Sequence, residues 1–186
     1  MVPGMTTTDG PGESRLPTPD EENRFWALLE AAWSQVDDTV NQTRLRMARR
    51  APEQARYADL MVIDKAADAF LAALTGLCEA ISSEELTDLD RVLERKLHAI
   101  DREDIHEVTD GSDDGFLYAR GLIVALGRAY YDAVVADPEV ATADCDFEEM
   151  CYFFAHLHEK KFGSWPETGS GISRESFGNP AGWGAI

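Results

Sequence analysis

Residues 112–137, SDDGFLYARGLIVALGRAYYDAVVAD, decide the fold. A serine, two aspartates and a glycine crowd the start of a run in which Phe116, Ile123, Leu126, Tyr130 and Val134 recur at helical spacing, and Pro138 stops it after Asp137. A serine at such a start accepts a hydrogen bond from a backbone N–H that has no partner within the helix, and acids are stabilised there by the helix dipole. The stretch therefore predicts one long apolar helix, capped by Ser112 and central to the core.

Outward from it, the same signals repeat. Thr18 can cap a helix with Pro19 at its first position, and Phe25, Trp26, Leu28, Leu29, Trp33 and Val36 form its apolar stripe. The stripe thins as arginines accumulate before Pro52, so a break or a second helix is expected near Ala51. From Pro52, Tyr57, Leu60, Ala67, Leu71, Leu74, Cys78 and Ile81 predict one long amphipathic helix. Ser82 with Glu85 makes a capping box ahead of the stripe Leu86, Leu89, Leu93, Leu97 and Ile100. Residues 101–111, DREDIHEVTDG, read as a polar connection. Asp146 with Glu149 predicts another capping box and a last helix over Phe147, Met150, Cys151, Phe154 and Leu157, which Gly163 ends. No six-residue stretch alternates as a strand would. The expected architecture is all-α, a compact bundle of five or six helices. Residues 1–19 should form a disordered tail and 20–162 a single domain. Residues 163–186, with Trp165, Phe177 and Trp183, should be an irregular extension on the helices.

Composition narrows the function. Seventeen basic against 35 acidic side chains leave a formal charge of −18, which opposes binding to nucleic-acid phosphates. No apolar run approaches the roughly 20 residues a membrane span needs, and the start of the chain has neither a basic nor an apolar signal region, so cytoplasmic residence is expected. Cys78, Cys145 and Cys151 are too few for a disulfide framework and read as reduced thiols. Charge is uneven: residues 44–56 hold five arginines and one glutamate, whereas 101–114 hold seven acids and one arginine. Such asymmetry suits internal docking or docking to a protein partner or a second copy, though a solvated face is the commoner cause of it.

The chemical candidates are incomplete. Asp110, Ser112, Asp114 and Gly115 fall at positions one, three, five and six of a calcium-loop template, but the twelfth position, a bidentate glutamate in the template, is Gly121. Capping by Ser112 is the preferred reading, and no metal or other cofactor is expected. Asp113 and Asp114 are neighbours on a helix and point about 100° apart, so they would not share one substrate. Arg120 and Arg128 suit structural ion pairs with these acids or with Asp90 and Asp101. His98, His106, His156 and His158 lack metal-ligand spacing, and Cys151 in its apolar stripe has no adjacent base. The pentapeptide at 165–169, WPETG, imitates a sorting signal but no apolar span follows it.

Several of these residues together resemble a bacterial domain-of-unknown-function family, numbered 4240. The likeness rests on Phe25 and Trp26; on Ser112, Asp113, Asp114 and Phe116; on Arg120 and Gly121; on Gly127 and Arg128; and on Asp137 and Pro138. It runs from about Phe25 to Phe162 and departs from the family pattern in the arginine-rich segment and at 101–108. It implies an all-α domain and brings no activity with it. The leading expectation is an interaction or regulatory module with no complete catalytic constellation. Its candidate functional cluster is Trp26, Asp110, Asp113, Asp114 and Arg120, joining the first helix to the one that starts at Ser112. The rival is a small-molecule or divalent-metal enzyme using that cluster, and a third reading is an acidic partner that blocks a basic target.

Overall fold

Thr18 holds an extended backbone, its hydroxyl accepts from the Glu21 N–H at 3.2 Å, and the Glu21 carboxylate accepts from the Thr18 N–H at 2.6 Å. This complete capping box starts α1 (Pro19–Trp33). Ser82 and Ser112 do the same work with one bond each, to Glu85 N–H at 3.2 Å and Gly115 N–H at 3.3 Å, and so start α5 (Ser83–Ala99) and α7 (Asp113–Ala125). The remaining helices are α2 (Asp38–Met47), α3 (Tyr57–Asp64), α4 (Ala67–Leu77), α6 (Glu103–Thr109), α8 (Arg128–Ala136), α9 (Glu148–Cys151) and α10 (Phe153–Phe162). The structure is a computed structural model that describes residues 14–54, 57–109, 111–143 and 145–184. Among these residues it is all helical, with ten helices and no strand.

Ten helices replace the expected five or six because the helices expected from Pro52, over 112–137 and from Asp146 are each broken in two, and because α2 and α6 form as separate helices, while α1 and α5 stay whole. The helix expected from Pro52 becomes a 3-10 turn (Pro52–Gln54), α3 and α4, with a bend at Lys65 and Ala66. Before the bend α3 lies on α2, and beyond it α4 packs on α1, with Phe70 against Trp33. The helix expected over 112–137 breaks at Gly127, whose φ of +88° strains any side chain. The carbonyls freed by the break are taken by α1 and α2: Trp33 Nε1 donates to Ala125 O at 2.7 Å and Arg44 donates to Leu126 O at 2.9 Å. The predicted box at Asp146 and Glu149 does not form. Phe147 is the N-cap of α9, without a side-chain cap, and its own N–H bonds Tyr118 O at 3.1 Å. Residues 101–111, expected as a connection, contain α6.

At the centre α7 is buried from 116 to 126 except for half-buried Tyr118, and it packs on α5, α8 and α9. Around it α1 crosses α4 and α5, and α10 lies on α5. Trp33 stacks on Phe70 with ring centroids 4.3 Å apart, and the buried apolar side chains form one cluster. No described helix is long and apolar enough to cross a membrane. Of the tail expected to be disordered, residues 1–13 lie outside the described ones. Residues 14–18 run beside the C-terminal segment, with Arg15 N–H on Gly169 O at 2.8 Å. That segment, 164–184, has neither helix nor strand and forms a strap along α5.

Candidate functional site

Helix α5 buries charge as well as leucine. Asp90, 1% exposed, takes both Nη atoms of Arg174 from the strap at 3.1 and 2.8 Å, with Glu94 3.7 Å away. The Arg174 guanidinium also donates to Cys151 O at 2.8 Å and lies 4.9 Å above the Tyr152 ring. Burial acts to lower the Arg174 pKa, but the Asp90 carboxylate beside it outweighs this and holds the guanidinium above the ordinary arginine value. One turn earlier in the strap, Arg91 donates to Thr168 O and, at 2.7 Å, to Asp88, while Arg95 donates to Ser170 O. Glu94 accepts from the Thr168 and Ser170 hydroxyls.

The other end of the seam is held by Arg120 and Asp101, both fully buried. Arg120 Nη1 donates to Leu97 O at 2.9 Å and to Arg174 O at 3.0 Å, and its Nη2 donates to Ser176 Oγ at 3.0 Å. Desolvation lowers its pKa, opposed by the nearby charge of Asp101. Asp101 accepts from the N–H groups of Phe177 and Asn179 at 3.1 and 2.8 Å and from Trp183 Nε1 at 3.1 Å. Four buried charges of the helical body, Asp90, Arg91, Asp101 and Arg120, thus find partners in the strap.

The expected cluster is divided. Arg120 lies under the strap and makes no ion pair with Asp113 or Asp114. Both aspartates are exposed, and Asp113 is linked to Arg120 only by its carbonyl, which accepts from Ser176 Oγ at 2.6 Å. Trp26 is in the core, its ring 5.0 Å from Phe25 and 5.3 Å from Tyr131. Asp110 lies outside the described residues. Arg128 is exposed, 3.6 Å from Asp132. The histidines are apart: His98 meets Ser173 O, His106 meets Gly111 O, and His158 bridges Ser83 Oγ at 2.7 Å and Ser164 O at 2.6 Å. Among the described residues no three His, Cys, Asp or Glu side chains are grouped as a cation site. Burial pushes the Cys78 and Cys151 thiols up to about 12, so both are protonated near neutral pH.

Asp90 and Asp101 were absent from the sequence expectations as site residues, though each carries a readable signal. Asp90 lies four residues after Leu86 and three before Leu93, and Asp101 four after Leu97, so both stand in the register of the apolar stripe. A carboxylate in that register needs a buried partner.

A second feature is open. Between α3, α4 and the stretch 145–149 lies a hollow of about 430 Å³ floored by Leu60, Leu122 and Phe147. Between α4 and α9–α10 lies another of about 420 Å³ lined by Phe153 and Leu157. Leu71 and Glu149 line both, so the two form one groove. Asp64, Asp68, Asp146, Glu148 and Glu149 border it, all exposed, and none forms an ion pair among the described residues. Lys160 is the only Lys or Arg side chain among the described residues that line it.

No curated protein and no solved structure matches the chain. One family model, described as a protein of unknown function (DUF4240), matches residues 21–160, which include α5, α7 and the groove but not the strap, and the chain belongs to that family.

Proposed function

We propose that this protein is a cytoplasmic interaction module that takes a basic, amphipathic segment of a partner protein into the groove between α4 and α9–α10. The observation that carries the reading is the union of an apolar floor, Leu71, Leu122 and Phe147, with five acids at the rim that form no ion pair among the described residues. Apolar side chains of a docked segment would remove the floor from water, and its lysines or arginines would meet the rim. A formal charge of −18 adds attraction at longer range, which raises the rate of encounter with a basic partner and weakens as salt rises. This agrees with an acidic protein that restrains a basic target.

The test uses a fluorescent helical peptide with one leucine face and one lysine face. It should bind the wild-type chain with an affinity that falls steeply with salt. Reversing Asp68, Asp146 and Glu149 to lysine should weaken binding at least tenfold. Reversing the exposed Glu84, Glu107 and Glu159, which do not line the groove, makes the same change in net charge and should have a small effect. Equal losses in the two triple variants would show attraction to net charge alone and sink the docking proposal.

A further inference from the structure

We propose that the polar seam along α5 is a binding groove for an extended, arginine-bearing segment of a partner protein, and that the strap at 164–184 is a displaceable occupant held there in cis. Of the contacts it rests on, only the Tyr152 ring also lines the α4 groove. The strap is recognised as a peptide ligand is, chiefly through its main chain: Arg91, Arg95 and Arg120 hold the carbonyls of Thr168, Ser170 and Arg174, and Asp101 holds the N–H groups of Phe177 and Asn179. One side chain, Arg174, supplies specificity by filling the slot between Asp90, Glu94 and the Tyr152 ring. Further side-chain marks flank it: the Thr168 and Ser170 hydroxyls on Glu94 before it, and the Ser176 hydroxyl on Arg120, the Asn179 amide on His98 O and the Trp183 indole on Asp101 after it.

Three observations make the occupant exchangeable. The residues of α5, with Asp101 and Arg120, that hold the strap lie within 21–160, the part matched by the family model, while the strap lies beyond it, as do Ser14 and Arg15, which also bond the strap. The hold is mainly polar: Trp165 and Phe177 remain 47% and 49% exposed, and the apolar anchor is Trp183, whose ring packs on Phe116 at the far end of the strap. The strap also begins at an exposed junction, Gly163 and Ser164, where Gly163 ends α10 in the left-handed region at φ +79°. An empty groove would leave Asp90 and Asp101 with water alone in place of their strap partners, while Arg91 keeps Asp88 and Arg120 keeps Leu97 O, so a segment that offers an arginine and two N–H groups would take the place of that water. A tether places the strap at an effective concentration on the order of millimolar, so a competing segment must bind better or arrive after the strap is released.

The test keeps the whole chain. A protease site is inserted between Pro166 and Glu167, the folded protein is cut there, and a fluorescent peptide with the sequence of residues 167–184 is added. The cut chain should keep its helical circular dichroism and take up the peptide, with roughly tenfold tighter apparent binding than the uncut chain because the tether is gone. A peptide carrying Arg174→Ala should lose most of that affinity. In the uncut wild-type chain, hydrogen exchange at the Phe177 and Asn179 amides should be faster than in the middle of α5. The proposal is overturned if cutting melts the helices, if the peptide binds equally well without its arginine, or if the strap amides exchange only on global unfolding. It is also overturned if the cut or uncut chain forms a stable dimer, because the occupant would then be a second copy.

Discussion

Ser112 shows how much one side chain specifies. Its hydroxyl accepts from Gly115 N–H at 3.3 Å, in extended backbone with φ −64° and ψ 175°, which is the geometry of an N-cap and not of a cation ligand. The two aspartates after it are exposed in the first turn of α7, where the helix dipole stabilises them without any ligand. Replacing Ser112 by alanine should lower stability by about 1 kcal/mol in a urea titration, and calcium should not change the difference. A loss near zero, or a calcium-dependent one, would contradict the capping role. Serine, acid and glycine in this order are readable from the sequence because a cap acts within four residues. The buried Asp90–Arg174 pair is not readable in that way. Its members are 84 residues apart, and the sequence marks only that Asp90 stands in an apolar register.

At the scale of elements, the apolar stripes predicted helices in the right places, but they did not show where the helices break. Gly121 and Gly127, both on the expected helix over 112–137, illustrate the difference. Gly127 ends α7 with a positive φ beside Glu30 and Arg44, a condition imposed by α1 and α2. Gly121 stays helical and lets α9 approach: a Cβ there would stand 2.6 Å from Phe147 O and 2.7 Å from Cys151 Sγ. Gly121→Ala should therefore destabilise the protein, by about 1–3 kcal/mol, despite alanine's better helix propensity. Thermal denaturation would check the sign, and a more stable variant would mean that α7 and α9 do not pack as closely as described. The apolar pattern continues through both glycines because the residues on either side are buried, each half against a different neighbour.

For the whole molecule, burial of groups that ionise only in base sets a limit at high pH. Cys78, Cys151 and the Tyr130 phenol are all pushed up to about 12 by burial, from ordinary values of 9.0 for the thiols and 10.0 for the phenol. A folded-state value above the unfolded one means that the unfolded chain releases its protons first. The stability these groups contribute is complete below pH 9 and is lost as pH rises from there toward 12. The unfolding free energy from urea titrations should thus fall progressively above pH 9, by up to about 1.4 kcal/mol per pH unit for each group. Cys151→Ala should flatten that slope, and an unchanged slope would show that the thiol is not withheld from ionisation.

The sequence alone determined the helical class, the capped starts at Thr18, Ser82 and Ser112, and the family likeness, because caps and amphipathic stripes depend on residues within one or two turns. It carries the odd carboxylates Asp90 and Asp101 in an apolar register, a mark that shows a buried partner is needed but not which one. Tertiary structure alone decided where the long helices break and what the buried charges face. It moved Arg120 away from Asp113 and Asp114 and placed it against the main chain of the strap. The physical reason is common to all of these: a buried charge or a freed carbonyl must be satisfied by whatever the fold brings to it, and here the partners come from segments 23 to 92 residues away.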